Sequence, residues 1–305
     1  MKKIKCIFLI GFILSLLLSV TAHSQAVITK SSDTIIVQPG FVQDKASATW
    51  LKALRSRMPA DKVDSISKVR QQVTVLEKGW KQLIETKAFN WKYFRDSLSI
   101  PFGSLKLSDT IYILTGYGGY DDAFTYGSQT VCLDLTALQM EYGNADLPEN
   151  NSRMDRLFAH EYTHLLHKAW AIKTKLELKT FRDSILWECL YEGIGMYRSL
   201  NARWLPVEGK LPAITIQALK ELYPVFAERI QVIGSRGQLT AQERISLNKN
   251  LSRGPVNKKW GAFPVAIWLA LEAGGDDQKL AYWVNLGPEA VTMLSKKYLV
   301  SGNRY

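Results

Sequence analysis

Apolar positions follow three different rhythms along the chain. Residues 6–20 form an almost unbroken apolar run behind Lys2, Lys3 and Lys5. From about 34 to 135, short β-rich runs alternate with helical ones. Segments 34–37, 110–114 and 129–135, rich in Ile, Val, Tyr and Leu, predict strands. Segments 46–58 and 63–98 predict helices, the second because Val73, Leu76, Trp80, Leu83 and Ile84 recur at steps of three and four. Beyond 150 the pattern is helical. A helix over 151–171, capped by Asn151 or Ser152, is followed by helices over 179–201, 214–233, 241–249, 260–273 and 288–298.

Strands early and helices late imply an α+β fold, with a small antiparallel or mixed sheet and a mostly helical C-terminal lobe. The expected division is an N-terminal lobe over 25–150 and a helical lobe over 151–305. Gly116, Gly118, Gly119 and Gly127 lie between two predicted strands without phosphate-loop spacing, so 116–127 reads as a flexible hairpin loop. The basic stretch 248–259, with Gly254-Pro255, reads as a flexible connector.

The leading apolar run is short for a bilayer span, and Ala22-His23-Ser24 offers the small residues that precede a signal-peptidase cut before Gln25. Residues 1–24 therefore read as a signal peptide, and the rest as an exported chain without a stable membrane span. Removing them takes three lysines and no acids from the formal charge of +11, leaving +8. The remaining basic residues are dispersed rather than arranged in a stripe with aromatics, which argues against a nucleic-acid partner. Cys132 and Cys189 are the cysteines left; they either pair or pack as two small apolar side chains.

Four histidines occur in the whole chain. Three of them, His160, His164 and His167, lie within eight residues. In His160-Glu161-Tyr162-Thr163-His164 the two imidazoles are one helical turn apart on one face, the separation that suits two nitrogen ligands on one Zn²⁺. Glu161, one residue round the helix, can take a proton from a zinc-activated water. A catalytic zinc needs a third protein ligand. His167 is seven residues from His160, about 10.5 Å along the axis, so one helix cannot close all three histidines on one ion. The candidates are Glu188 and Glu192, one turn apart in Trp187-Glu188-Cys189-Leu190-Tyr191-Glu192-Gly193-Ile194-Gly195, where the glycines permit close helix approach. Oxyanion stabilisation falls to a tyrosine or arginine, with Tyr197 preferred ahead of Tyr191, Tyr117, Tyr120 and Tyr126.

The segment from Phe158 to Tyr197 resembles the gluzincin metallopeptidases, including alanyl-type aminopeptidases and bacterial predicted zinc-dependent proteases. In those families the histidine motif pairs with a downstream tryptophan and a Glu-Gly-x-Ala-like segment whose glutamate is the third zinc ligand. The resemblance implies a zincin-like fold, Zn²⁺ held by His160, His164 and Glu192, and peptide hydrolysis with Glu161 as base. Gly195 departs from the family's usual alanine. Zincin folds commonly hold an extended peptide along a sheet edge, and 129–135 is the expected edge here. Two other functions fit the same residues: a catalytically inactive zincin-fold binding or assembly module, and a zinc hydrolase of non-peptide amides or esters.

Overall fold

A computed structural model describes residues 33–42, 45–68, 73–235 and 239–299. The signal-like segment 1–24 lies outside the described residues. The described residues from Thr34 onward form one compact unit. It is α+β, with twelve α-helices among the described residues around a small mixed sheet.

Four strands build that sheet: β1 (Thr34–Pro39), β4 (Thr110–Gly116), β5 (Ala123–Tyr126) and β6 (Thr130–Asp134), in the order β1-β4-β6-β5. A separate two-residue pair, β2 (Phe41–Val42) with β3 (Lys45–Ala46), follows β1. β1 and β6 both run parallel to β4, while β5 runs antiparallel to β6. This corrects two expectations. Segment 116–127 is not a plain loop, because it carries β5; and β6 is interior, so the sheet edge on that side is Ala123–Tyr126 rather than 129–135. Parallel β4 and β6 cannot be joined by a hairpin. The turn at Gly127 joins β5 to β6 instead.

Alternation along the strands divides the interior in two. Ile111, Ile113, Val131 and Leu133 join the main core, whereas Leu114 and Cys132 join a smaller one with Trp50, Leu54 and Phe124. The smaller core is closed by α1 (Ala48–Arg55) and α2 (Ala60–Lys68). The main core continues unbroken from Trp80 to Leu294, across residue 150.

The long helix expected over 63–98 is in fact α2, α3 (Val75–Trp91) and α4 (Phe94–Ser99), followed by a 3₁₀ turn at Ile100–Phe102. The break has a local cause. Thr74 caps α3 through its side chain to the Glu77 N–H (3.1 Å), and the Glu77 carboxylate returns to the Thr74 N–H (2.8 Å). After β6 come α5 (Leu135–Tyr142), capped by Asp134, and α6 (Pro148–Lys173). α6 starts at Pro148, not at an Asn151 or Ser152 cap, because proline's missing N–H costs nothing in the first turn.

α7 (Phe181–Ser199), capped reciprocally by Thr180 and Asp183, packs along α6. α8 (Ala213–Ser235), α9 (Ala241–Asn248), α10 (Ala262–Ala273), α11 (Asp277–Asn285) and α12 (Pro288–Leu299) complete the unit. α11, started by an Asp276 cap to the Gln278 N–H at 2.8 Å, was not expected. The stretch expected as a flexible connector is pinned. Its Leu251 is buried, Trp260 Nε1 donates to the Lys249 carbonyl at 3.1 Å, and Trp260 N donates to the Asn250 carbonyl at 3.0 Å. Among the described residues no helix is long and apolar enough to cross a membrane. Cys132 and Cys189 are both buried and unpaired.

Candidate metal centre

The rotation of α6 is fixed from its far side. Phe158 stacks on Trp91 with ring centroids 4.5 Å apart and planes 3° from parallel, and Tyr162 stacks on Phe158 at 5.4 Å. Arg95 Nε donates to the Tyr162 hydroxyl at 3.1 Å, while Trp91 Nε1 (2.9 Å) and Lys87 Nζ (2.7 Å) both donate to Asp155. With residues 155, 158 and 162 held there, 160 and 164 turn towards α7.

Across that interface the Nε2 atoms of His160 and His164 lie 2.9 Å apart. Glu192 Oε2 is 3.9 Å from the first and 3.7 Å from the second. Glu161 Oε1 is 3.9 Å from His160 Nε2, and donor atoms of His160, Glu161 and His164 all lie within 4.8 Å of one another. Tetrahedral zinc with Zn–N near 2.05 Å sets its donors about 3.3 Å apart. Separations of 2.9, 3.7 and 3.9 Å straddle that value, so His160, His164 and Glu192 fit the ion with small side-chain adjustments.

The space they converge on is kept clear by Gly195. A Cβ at that position would sit 2.8 Å from His164 Cε1, 3.0 Å from His160 Nε2 and 3.1 Å from His160 Cε1. Gly193 serves a different neighbour: its Cβ would strike Val265 of α10 at 2.6 Å. One glycine therefore seats α7 against the helical lobe, and the other seats it against the two imidazoles.

Ser199 fixes the chemistry of His160. Its hydroxyl donates to the Met196 carbonyl at 3.2 Å, leaving an oxygen lone pair for the Nδ1–H of His160 at 3.1 Å. That assigns His160 the tautomer whose Nε2 presents a lone pair to the cluster. Ser199 was not anticipated from the sequence, and an Ser seven residues past a candidate ligand carries no distinguishing signal. Tyr191 stacks flat on the His164 ring, 4.1 Å between centroids and 13° between planes, which holds that imidazole in place.

Burial dominates the electrostatics. It pushes His160 down, helped by His164, to about 3. For His164 burial pulls downward too, but the Glu192 carboxylate outweighs it and the net direction is up. Burial alone would raise the Glu192 carboxyl; His164, His160 and Lys259 overcome that and hold it at about 2. Glu161 goes the other way. Burial pushes it up to about 7, with Glu192 and Asp122 adding to the effect against His164 and Arg57. Two carboxylates one helix apart are thus separated, one held ionised and one poised near neutrality.

Glu188 lies one turn before Glu192; burial and the Glu192 charge both raise its carboxyl. It is Glu192 that presents an oxygen to both imidazoles. Tyr197 is not brought to the cluster. Five residues past Glu192, it is rotated about 140° around α7, and the charges bearing on it are those of Arg198, Asp277 and Asp276. Tyr117 is buried edge-on against Phe41 at 4.6 Å, Tyr126 lies on β5, and the Tyr120 hydroxyl accepts from Arg253 Nη1 at 3.2 Å.

His167 is fully buried behind the site, in a box of Phe102, Trp170, Trp187 and Tyr191, the nearest ring being Trp187 at 4.3 Å. Neither ring nitrogen has a hydrogen-bond partner among the described residues. Burial, and the charge of His164, hold its pKa well below the ordinary 6.5. The unfolded chain therefore takes a proton near pH 6.5 that the folded chain refuses, so stability falls as pH drops below that value. The slope is up to about 1.4 kcal/mol per pH unit. His167→Phe removes this component. In chelator-treated protein its melting temperature, relative to wild type, should be clearly higher at pH 5 than at pH 8; an equal difference at both would show that His167 is not held neutral.

No protein-family model, curated protein or solved structure matches this chain.

Proposed function

We propose that this chain is an exported zinc-dependent peptidase in which His160, His164 and Glu192 hold the ion and Glu161 is the general base. The observation that carries it is the convergence of three metal-type donors from two helices on a space that Gly195 leaves open. When bound there, zinc supplies Lewis-acid polarisation of a carbonyl and brings the pKa of a water down to about 7. The chain's own residues do the rest. Glu161 accepts the proton of the attacking water and returns it to the leaving amine. Its burial keeps it basic enough for that task at neutral pH. Ser199 and Tyr191 hold the two imidazoles in tautomer and in plane.

A zincin-like architecture is part of the same proposal. β5 packs against α6 and, among the described residues, has a strand neighbour on one side only. Its other side can pair main-chain groups with an extended peptide. The basic start and apolar run of residues 1–24 support export.

The test is metal analysis of the purified chain beginning at Gln25, paired with hydrolysis of an unbiased peptide library with and without chelator. About one zinc per chain and chelator-sensitive cleavage are expected. A protein that binds no zinc, and whose melting temperature ignores the metal, would overturn the reading. One zinc without cleavage of any peptide would leave a binding module.

A further inference from the structure

Two exposed cations lie near β5, and among the described residues neither forms an ion pair with a carboxylate. Lys168 lies four residues past His164, so it shares the face of α6 that carries both histidines. Its Nζ donates to the Thr125 hydroxyl on β5 at 2.9 Å and stands 5.8 Å over the ring of Tyr191, the ring stacked on His164. Arg253 comes from the segment between α9 and α10. Its Nη1 donates to the Tyr120 hydroxyl at 3.2 Å, just ahead of β5.

The acids just ahead of β5 are already engaged. Asp121 pairs with Arg57 at 3.0 Å, and Asp122 accepts from the Tyr142 hydroxyl and from the Ala123 N–H. Lys168 and Arg253 hold only hydroxyls and rings, and among the described residues no carboxylate lies within ion-pair distance of either. Cations present merely to offset the site's own glutamates would be paired with them. These two instead contact Thr125 on β5 and Tyr120 just ahead of it, beside the strand proposed to hold the substrate's backbone. Both still feel nearby acids: the charge of Lys168 interacts with Glu161, Glu192 and Glu188, and that of Arg253 with Asp121 and, more weakly, with Glu192.

We propose that the polypeptide taken by this site carries carboxylates close to the scissile bond, gripped by Lys168 at one end of β5 and by Arg253 at the other. This rests on the peptidase reading above and names its substrate class. The carboxylates can belong to Asp and Glu side chains or to the substrate's own C-terminus.

The experiment has a cleavage arm and a binding arm. In the first, zinc-loaded full chain is offered matched fluorogenic peptides with Glu, Gln or Lys around the cleaved bond, each as free acid and as C-terminal amide. Acidic peptides should be cleaved with the highest kcat/KM. Loss of that advantage on amidation assigns the C-terminus, and its persistence assigns side chains. Lys168→Gln and Arg253→Gln should each cut the Glu-over-Gln selectivity about fivefold, mainly through KM, with Lys168→Arg restoring it.

In the second arm, Glu161→Gln loaded with zinc is titrated with the same peptides, and the preference should weaken as salt rises. Equal binding and cleavage of Glu, Gln and Lys peptides, or selectivity unmoved in both variants, would overturn the proposal and leave hydrolysis standing. Selective binding of acidic peptides by Glu161→Gln, with no cleavage by the wild type, would overturn hydrolysis and leave the acidic ligand standing.

Discussion

Replacing Glu161 with Gln should lower peptide hydrolysis about a thousandfold while leaving zinc content unchanged. Gln keeps the size and the hydrogen-bonding reach of the side chain but cannot accept a proton, and general-base assistance of this kind is worth about 10²–10⁴ in rate. Zinc should be retained because residue 161 is not among the three donors proposed, His160, His164 and Glu192. The pH profile gives an independent check. As the proposed general base Glu161 must be the carboxylate, so activity should fall as pH drops through its pKa. Burial, with Glu192 and Asp122, lifts that pKa from 4.5 to about 7 in the chain alone, and a nearby divalent charge pulls it back down. The acid limb of wild-type kcat/KM should therefore lie between about pH 4.5 and 7, and the residual activity of Glu161→Gln should lack it. Zinc loss on substitution would instead make Glu161 a structural ligand. Unchanged activity would remove it from the chemistry altogether.

Much of this was legible because local signals and tertiary structure agree. The three- and four-residue recurrence around Trp80 and the four-residue spacing of His160 and His164 each dictate a helix or a helix face. What escaped reading depends on distant partners. Nothing local says that β4 and β6 pair in parallel with β5 outside them, since strand order is decided by which faces the helices cover. β5 is four residues long, too short for its alternation to stand out from a glycine-rich surrounding. The start of α3 is a miss of another kind, since its signal is local: Thr74-x-x-Glu77 lies inside an otherwise continuous apolar period that hid it.

At the site, Tyr197 could have been rejected by helix rotation alone. Gly193 and Gly195 were legible as residues that permit close helix approach, but not which neighbour each one seats, and Ser199 could not have been recognised. The importance of Gly195 and Ser199 lies in what stands across the interface, and that is the pair of imidazoles on α6.

Gly195 therefore provides the sharpest separation of fold from site. Gly195→Ala should weaken zinc binding about ten- to a hundredfold, although the gluzincins this segment resembles carry alanine there, while the metal-free protein melts within a few degrees of wild type. Two opposing effects lead to this. Alanine is the better helix former by about 0.8–1.0 kcal/mol, so within α7 the change is locally favourable. The added methyl, however, occupies the space between the two imidazoles, 2.8 Å from His164 Cε1 and 3.0 Å from His160 Nε2. Contacts under 3.0 Å cannot persist, and α7 cannot retreat, because Gly193 is seated against Val265 on α10. The rings must rotate away instead. His160 then leaves the Ser199 hydroxyl that sets its tautomer, and disturbing outer partners of that kind alone typically costs 10–100-fold in metal affinity. Competition with a calibrated zinc chelator measures the affinity, and calorimetry in chelator measures the metal-free stability. Zinc binding by Gly195→Ala as tight as that of wild type would mean that His160 and His164 do not converge where Gly195 faces them, and the three-donor site would fall with that result. Loss of zinc together with a collapse in metal-free stability would show that Gly195 is needed for packing α7 as well as for seating the ion.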